Sequence, residues 1–422
     1  MSGEESRLVY VITGGCGFLG QHLLRVLLEK EDQIKEIRLF DKHIDSDLHS
    51  YTTEHIKVVL TQGDITDYHS VLEACRGADL VVHAASLVDV WYRVPERTIY
   101  AVNVEGTKNV LSACVELGIQ HLIYTSSMEV VGPNVKGDTF IRQAQASWGV
   151  QSFHQVLGQP CGLHSVRVPG IPEVEGKWDI FLLNVEKQQF CSSTWGRGDE
   201  DTPYNVIHEM PYPRSKAAAE NLVLQANGTK IKGGGTLYTC ALRPTGIYGE
   251  NHQLMKEFYQ MGVRTGGWLM RGVPRDTEHG RVYAGNVAWM HLLAARALRR
   301  HPERLGGEVY FCYDDSPYKS YEDFNMQFLS AFNFRVVQMP FCALWFIACL
   351  NDLLHWLLQP LCKFTPLLNR YTLAVARTSF TVHSDKAQRH FQYRPLYSWE
   401  QCRARTQSWV DTFPHDTSAK DM

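Results

Sequence analysis

Thr13-Gly14-Gly15-Cys16-Gly17-Phe18-Leu19-Gly20 decides the fold of this chain. Before it, Leu8–Ile12 is a short apolar run of strand composition. After it, Gln21–Glu29 carries leucines at 23, 24, 27 and 28, a helical spacing. Glycines at 14, 17 and 20 between a strand and a helix allow a tight turn, close approach of a pyrophosphate, and close helix–strand packing. The helix N-terminus adds unpaired N–H groups and the positive end of its dipole. A glycine triplet alone is a weak signal, and the flanking strand and helix make this one specific. Gly14, Gly15, Cys16, Gly17, Phe18, Leu19 and Gly20 are therefore the candidate dinucleotide cradle.

Outward from the loop the rhythm repeats. Ile37–Phe40, Lys57–Thr61, Leu80–His83 and His121–Thr125 read as strands, and Val104–Leu117 as a helix. Strands alternating with helices predict an α/β fold with a Rossmann-type, doubly wound parallel sheet. Further on, Pro211–Gln225 reads as a helix, Thr239–Leu242 as a sixth strand and Val282–Arg299 as an amphipathic helix.

The composition narrows the class. Apolar residues make up 44% and charged residues 21%, which is globular and excludes wholesale disorder. Lys and Arg number 42 against 45 Asp and Glu, a net charge of −3, so no nucleic-acid partner is expected. Eleven cysteines with no C-x-x-C pair argue for a reducing compartment and against a disulfide framework. The histidines form no H-E-x-x-H, and no metal site is expected. The polar N-terminus has no basic segment followed by an apolar one, so no cleaved signal peptide is expected.

Four further places bear on the chemistry. Asp41 ends the second strand, where a carboxylate accepts from both ribose hydroxyls and repels a 2′-phosphate, so NAD is expected over NADP. The adjacent Lys42 pulls the other way. Asp64, in Gly-Asp-Ile after the third strand, is either an adenine contact or a plain turn residue. Tyr212-Pro213-Arg214-Ser215-Lys216 places a phenol and an ammonium four residues apart on one helix face. A phenol has a reference pKa of about 10 and needs a nearby cation to act as a base near neutrality. Ser127, in Tyr124-Thr125-Ser126-Ser127 at the end of the fifth strand, can bond a substrate oxygen; a helix N-cap is its bland alternative.

These residues resemble the extended short-chain dehydrogenase/reductase superfamily. The matching pieces are TGGCGFLG, Gly-Asp-Ile, His83-Ala84-Ala85, Asn103 in NVEGT, TSS, YPRSK and RPTGIYG. Within it, YTSSMEVVGPN, GTLYTCALRP, VYAGNVAWMH and KAQRHFQYRPLYSWE are similar to the 3β-hydroxy-Δ5-steroid dehydrogenase family, and RPTGIYGE and SFTVHSDKAQRHF to its C27, bile-acid-synthesis branch. The resemblance implies NAD held by the loop with Asp41, Asp64 and Ala84, and catalysis by Tyr212, Lys216 and Ser127. Tyr212 would take the 3β-hydroxyl proton, Ser127 would orient that oxygen, and Lys216 would bond the nicotinamide ribose and lower the Tyr212 pKa. It implies oxidation of a 7α-hydroxylated C27 sterol with a Δ5 to Δ4 shift, an endoplasmic reticulum membrane address with the catalytic part facing the cytoplasm, and a homodimer as one assembly. Alternatives are a C19/C21 steroid enzyme, another extended short-chain dehydrogenase or epimerase, or a silent NAD-binding membrane isoform. No residue in the sequence declares itself as the group that moves the isomerising proton.

Two stretches depart from the α/β rhythm. Phe341–Leu358 is apolar except for Asn351, Asp352 and His355, and as a helix would span about 27 Å. The basic residues after it suit the cytoplasmic side, so a monotopic or re-entrant anchor is expected, against a span or a buried core helix. Residues 143–197 hold Gly, Gln, Ser and Pro in no regular period and separate Ser127 from Tyr212. A structureless loop of that length is uncommon inside a compact domain. They read as an extra, disordered insertion, from translated non-coding sequence or an alternative splice form, against a functional insertion, leaving the Rossmann half intact. The expected organisation is then 1–142 NAD-binding part, 143–197 insertion, 198–250 the rest of the Rossmann part, 251–340 substrate-binding part, 341–362 membrane-associating segment, and 363–422 C-terminal substrate-binding part and tail.

Overall fold

A computed structural model describes residues 7–132, 197–204, 210–359, 361–362 and 364–414. The expected insertion lies outside the described residues up to position 196. Seven parallel strands form the main sheet: β1 (Leu8–Thr13), β2 (Ile34–Asp41), β3 (Lys57–Gln62), β4 (Leu80–His83), β5 (His121–Thr125), β6 (Tyr238–Pro244) and β7 (Val309–Cys312). Their spatial order is β7-β6-β5-β4-β1-β2-β3. The chain builds outward from β1 to β3, then returns to the other side of β1 to lay down β4. The crevice between β1 and β4 is thus the switch point where open α/β sheets bind ligands.

The register aligns this crevice. Phe40, Thr13, His83, Tyr124, Ala241 and Val309 lie in one row across six of the strands. Residues just beyond the row, the Gly14 loop, Ala84 and Thr125–Ser127, therefore gather at one edge of the sheet. Helices cover both faces. Phe18–Lys30 and Ala284–Arg300 bury Leu23, Leu24, Leu27, Val287 and Leu298 against one face. Tyr68–Cys75, Gly106–Leu117 and Pro211–Ala226 bury Val71, Val110, Cys114, Ala219 and Val223 against the other. The six residues of β1 are all buried, as a central parallel strand requires.

Three differences from the sequence reading have physical causes. Val282 does not open a helix: Arg281–Tyr283 is a buried strand paired with Gly246–Tyr248, and the helix starts at Ala284. β7 falls inside the 251–340 span expected to be substrate-binding, yet it pairs with β6 as an edge of the main sheet. It is four buried residues long, too short to show a period. Trp268–Arg271 and Arg335–Gln338 form a further parallel pair, whose second strand is exposed throughout.

Phe341–Leu358 is one helix, and only Leu344 and Ala348 on it are buried. Its polar residues staple the returning chain. Asn351 Nδ2 donates to Leu368 O at 2.8 Å, His355 Nδ1 bonds Phe364 O at 2.7 Å, and Arg370 Nε donates to Asp352 at 2.7 Å. Asp352 and His355 thus do not mark a core helix. They hold one edge of it to the protein, while Phe346, Leu350, Leu353 and Trp356 face outward.

Candidate active site

The glycine loop is built for close approach. Gly14 sits at φ +70°, and a Cβ there would lie 2.8 Å from the Ala85 Cα, so both the backbone conformation and the neighbour demand glycine. Ala84 N donates to Thr13 O at 3.2 Å and Ala85 N to Thr13 Oγ1 at 3.2 Å, which pins the β4 end beside the loop. Gly17 precedes the Phe18–Lys30 helix, and no side chain caps the helix's first amides. These features fit a dinucleotide pyrophosphate, with the helix N-terminus turned to anionic oxygens.

Asp41 stands at the end of β2 and accepts from Cys16 N–H at 3.1 Å and His43 N–H at 3.1 Å. Its carboxylate is therefore fixed at the edge of the loop, where an adenosine ribose would meet it. Lys42, the residue that argued for a 2′-phosphate, donates to Asp64 at 2.8 Å. Asp64 also accepts from Thr66 N–H and the Thr66 hydroxyl. The Lys42 and Thr66 bonds hold its carboxyl down to about 2. Asp64 thus organises its own turn and engages Lys42.

Tyr212, Ser127 and Lys216 are all buried. The Pro211–Ala226 helix carries the tyrosine and lysine, with Pro213 tolerated in its first turn. Lys216 Nζ donates to Thr125 O at 2.6 Å and lies 4.2 Å from the centre of the Tyr124 ring. Burial pulls its ammonium down to about 7, partly opposed by the Glu220 charge. Ser127 Oγ accepts from Glu129 N–H at 3.2 Å, so it caps a short helical turn while facing Tyr212. Burial pushes the Tyr212 phenol up, the nearby Glu129 charge raises it further, and a hydrogen bond with Ser127 lowers it. The lowering expected from Lys216 is not among these influences. Its ammonium is drawn toward the Thr125 carbonyl, and burial leaves it only partly charged near neutrality.

Several supporting residues had no assigned role in the sequence reading. Asn103 lies where the helix widens to a π turn over Ala101–Glu105. Its Nδ2 donates to Ser215 Oγ at 2.9 Å, and the Ser215 hydroxyl donates to Tyr212 O at 2.7 Å. Asn103 also accepts from Leu87 N–H, so it ties the loop after β4 to the helix bearing Tyr212. His83 is buried between the Thr13 and Thr107 hydroxyls, at 2.7 and 2.9 Å. Burial drives it down to about 3, so it is a neutral brace. Arg243 on β6 pairs with Glu220 at 2.6 Å, both buried, fixing the far end of the same helix. The local Y-x-x-x-K and T-S-S patterns gave the reacting groups, but these braces come from distant segments and have no local signal.

A parallel sheet with a glycine-loop crevice, beside a buried tyrosine, lysine and serine, defines an oxidoreductase of the extended short-chain dehydrogenase/reductase class. The sequence profile of the 3-beta hydroxysteroid dehydrogenase/isomerase family matches residues 11–157 and 183–342. The chain belongs to that family. It is 50% identical over 413 residues to the Homo sapiens protein 3 beta-hydroxysteroid dehydrogenase type 7, covering 97% of each chain. It is 36% identical over 404 residues to 3 beta-hydroxysteroid dehydrogenase/Delta 5-->4-isomerase of vaccinia virus, covering 96% of this chain and 99% of that one. In fold it is similar to dTDP-glucose 4,6-dehydratase from Streptomyces venezuelae, with a TM-score of 0.61 at 17% identity over 96% and 97% of the two chains. It is likewise similar to Thermus thermophilus UDP-glucose 4-epimerase, at 0.57 and 17% over 96% and 100%. The profile leaves 158–182 unmatched, inside the segment that the sequence singles out as extra.

Proposed function

We propose that this protein oxidises the 3β-hydroxyl of a Δ5 sterol, a 7α-hydroxylated C27 sterol of bile acid synthesis, using NAD, and moves the double bond to Δ4. The observation that carries this reading is the buried Tyr212, Ser127 and Lys216 group beside the switch-point crevice. NAD held by the Gly14–Gly20 loop and Asp41 would supply the acceptor for the C3 hydride. Ser127 orients the substrate oxygen, Tyr212 takes its proton, and Lys216 holds the ribose side of the crevice while adding positive charge when protonated. Asp41 favours NAD because its carboxylate is fixed at the loop and Lys42 is engaged by Asp64. The half-identical human relative supports the C27 branch.

The outward apolar face of Phe341–Leu358 supports a monotopic anchor, and the address proposed for it is the endoplasmic reticulum membrane with the catalytic part facing the cytoplasm. A sterol partitions into lipid, so an anchored enzyme meets its substrate there. A nucleotide-sugar enzyme, the alternative that the fold neighbours represent, has no use for such a face. A silent NAD-binding isoform is the third reading. The test is NADH production by microsomal protein on C19, C21 and C27 Δ5-3β-hydroxysteroids. The expected result is turnover of all three classes at most, with the 7α-hydroxylated C27 sterol fastest. NAD binding with no NADH from any sterol would establish the silent isoform, and turnover of a sugar nucleotide the epimerase-type reading.

A further inference from the structure

Arg281 is a buried cation without a counter-charge. It is 4% exposed, its Nε has no hydrogen-bond partner, and among the described residues no carboxylate pairs with it. Its guanidinium lies over the rings of Tyr321 and Phe324, 4.1 and 4.8 Å from their centres. Gly246 on the paired strand leaves room for it, since a Cβ there would stand 3.2 Å from Arg281 Nη1. The carboxylates of the neighbouring segments are engaged elsewhere. Glu257 pairs with Arg93, Asp323 pairs with Arg271, and Glu322 accepts from Gly272 and Val273 N–H. An uncompensated charge in such a place costs free energy, and ring faces offset only part of it. Its donors are free for a group that is not part of the chain.

A second unsatisfied group belongs to the same region. His252 Nδ1 is buried without a partner, and burial, helped by the Arg281 charge, keeps this ring neutral. The His252 ring stacks on Phe18 at 5.2 Å between centres, and Phe18 opens the helix that follows the glycine loop. On the other side, Tyr321 feels the charge of Arg281 and also that of Glu129, which acts in turn on Tyr212. Arg281 and His252 are thus flanked by the cofactor cradle on one side and the reacting groups on the other.

We propose that Arg281 and His252 form a subsite for a second hydroxyl of the substrate, the 7α-hydroxyl of the sterol, and that this subsite sets a preference for 7α-hydroxylated sterols. The assignment rests on the function proposed above. The chemistry of the pair selects a hydroxyl. A guanidinium only donates, and the Nδ1 of a neutral imidazole that carries its proton on Nε2 only accepts. A hydroxyl does both at once, accepting from Arg281 and donating to His252. A carboxylate would satisfy Arg281 alone. C7 lies in the ring fused to the one that carries C3, so its hydroxyl stays close to the reacting end of the sterol, while the side chain at C17 extends away from it. A sterol lacking this hydroxyl leaves both groups unpaired, and a site built to bond a substrate hydroxyl discriminates strongly against such an analogue.

The test compares NADH formation from the 7α-hydroxylated C27 sterol with that from the same sterol lacking the 7-hydroxyl, for wild type, Arg281→Met and His252→Phe. Methionine keeps an unbranched chain against the Tyr321 and Phe324 rings, and phenylalanine keeps a ring on Phe18. Wild type should prefer the 7α-hydroxylated sterol in kcat/KM. Each variant should cut that preference by roughly 10- to 100-fold, the range expected of a hydrogen bond to a charged group, and Arg281→Lys should restore part of it. If Arg281→Met does not fold, His252→Phe gives the same readout. An equal fall on both sterols makes the two residues packing elements and overturns the subsite, as does an unchanged preference. Wild type that oxidises both sterols equally well overturns the subsite alone, whereas wild type that forms no NADH from any sterol overturns the dehydrogenase reading and the subsite with it.

Discussion

Tyr212 is asked to ionise in a place that resists ionisation. Burial and the Glu129 charge both raise its phenol, and only the Ser127 bond lowers it among the resolved influences. Its base strength must therefore come from charge that arrives with substrate and cofactor, or from protonated Lys216. The group pulls in the opposite sense from Lys216, whose ammonium burial weakens. Such opposed shifts at one crevice are the mark of a proton-transfer site. Tyr212→Phe removes the hydroxyl and keeps the ring in its packing. NADH formation should drop by at least about 100-fold, because a positioned proton acceptor contributes on that order or more. The NAD dissociation constant should change little, since the Gly14–Gly20 loop and Asp41 lie on other elements. Retained turnover would remove Tyr212 from the mechanism, and a parallel loss of NAD affinity would make it a binding residue instead.

The Phe341–Leu358 helix divides its labour by face. One edge is stapled to residues 364–370 through Asn351, Asp352 and His355, and the opposite edge offers Phe346 at 65%, Leu353 at 50% and Trp356 at 69% exposure. Burying side chains of this kind is worth about 1.5–3 kcal/mol each, enough together to partition a protein onto lipid. Replacing all three with lysine should move the protein from the microsomal pellet to the supernatant, with NADH formation on detergent-dispersed sterol kept within a few-fold. Persistence in the pellet would exclude this helix as the anchor. The same helix was legible from its composition because eighteen residues of one character need no partner to be seen. The glycine loop and the Tyr212–Lys216 pair were legible for a related reason: their chemistry is encoded within eight and five residues. Arg281–Tyr283 was not, because three strand residues run without a break into the following helix. Glu129 was quoted in the sequence without a role because its buried partner, Tyr371, lies 242 residues away. The braces Asn103–Ser215 and Arg243–Glu220 are products of topology in the same way.

The fold as a whole is assembled around histidines that it keeps neutral. His83 joins β1 to the Gly106–Leu117 helix through Thr13 and Thr107, and burial lowers it to about 3. His291 joins Thr125 of β5 to the Val287 carbonyl, at 2.7 and 2.8 Å, and burial lowers it to about 4. His279 accepts Tyr321 N–H at 3.0 Å and is lowered to about 3 by burial. His22, His121, His252 and His390 are shifted the same way. Below pH 6.5 the unfolded chain protonates each of these, whereas the folded chain does not, so stability falls with pH. Glu129, raised to about 7, and Asp314 and Glu322, also raised by burial, work in the opposite sense, since the fold holds their protons more tightly. The lowered histidines outnumber these carboxyls. Each net proton is worth about 1.4 kcal/mol per pH unit, so the protein should lose stability as pH falls from 6 to 5. Against a total of about 5–15 kcal/mol for a typical domain, that is a visible fall in melting temperature. His83→Gln isolates the cause, because its amide can still bond one of the two threonines and takes up no proton. Its melting temperature should lie below that of wild type at pH 7.5, where the lost bond costs on the order of 1 kcal/mol, and approach it by pH 5 as the wild type forfeits the histidine's contribution. A constant gap between the two across that range would place the acid sensitivity elsewhere than in the β1–β4 crevice.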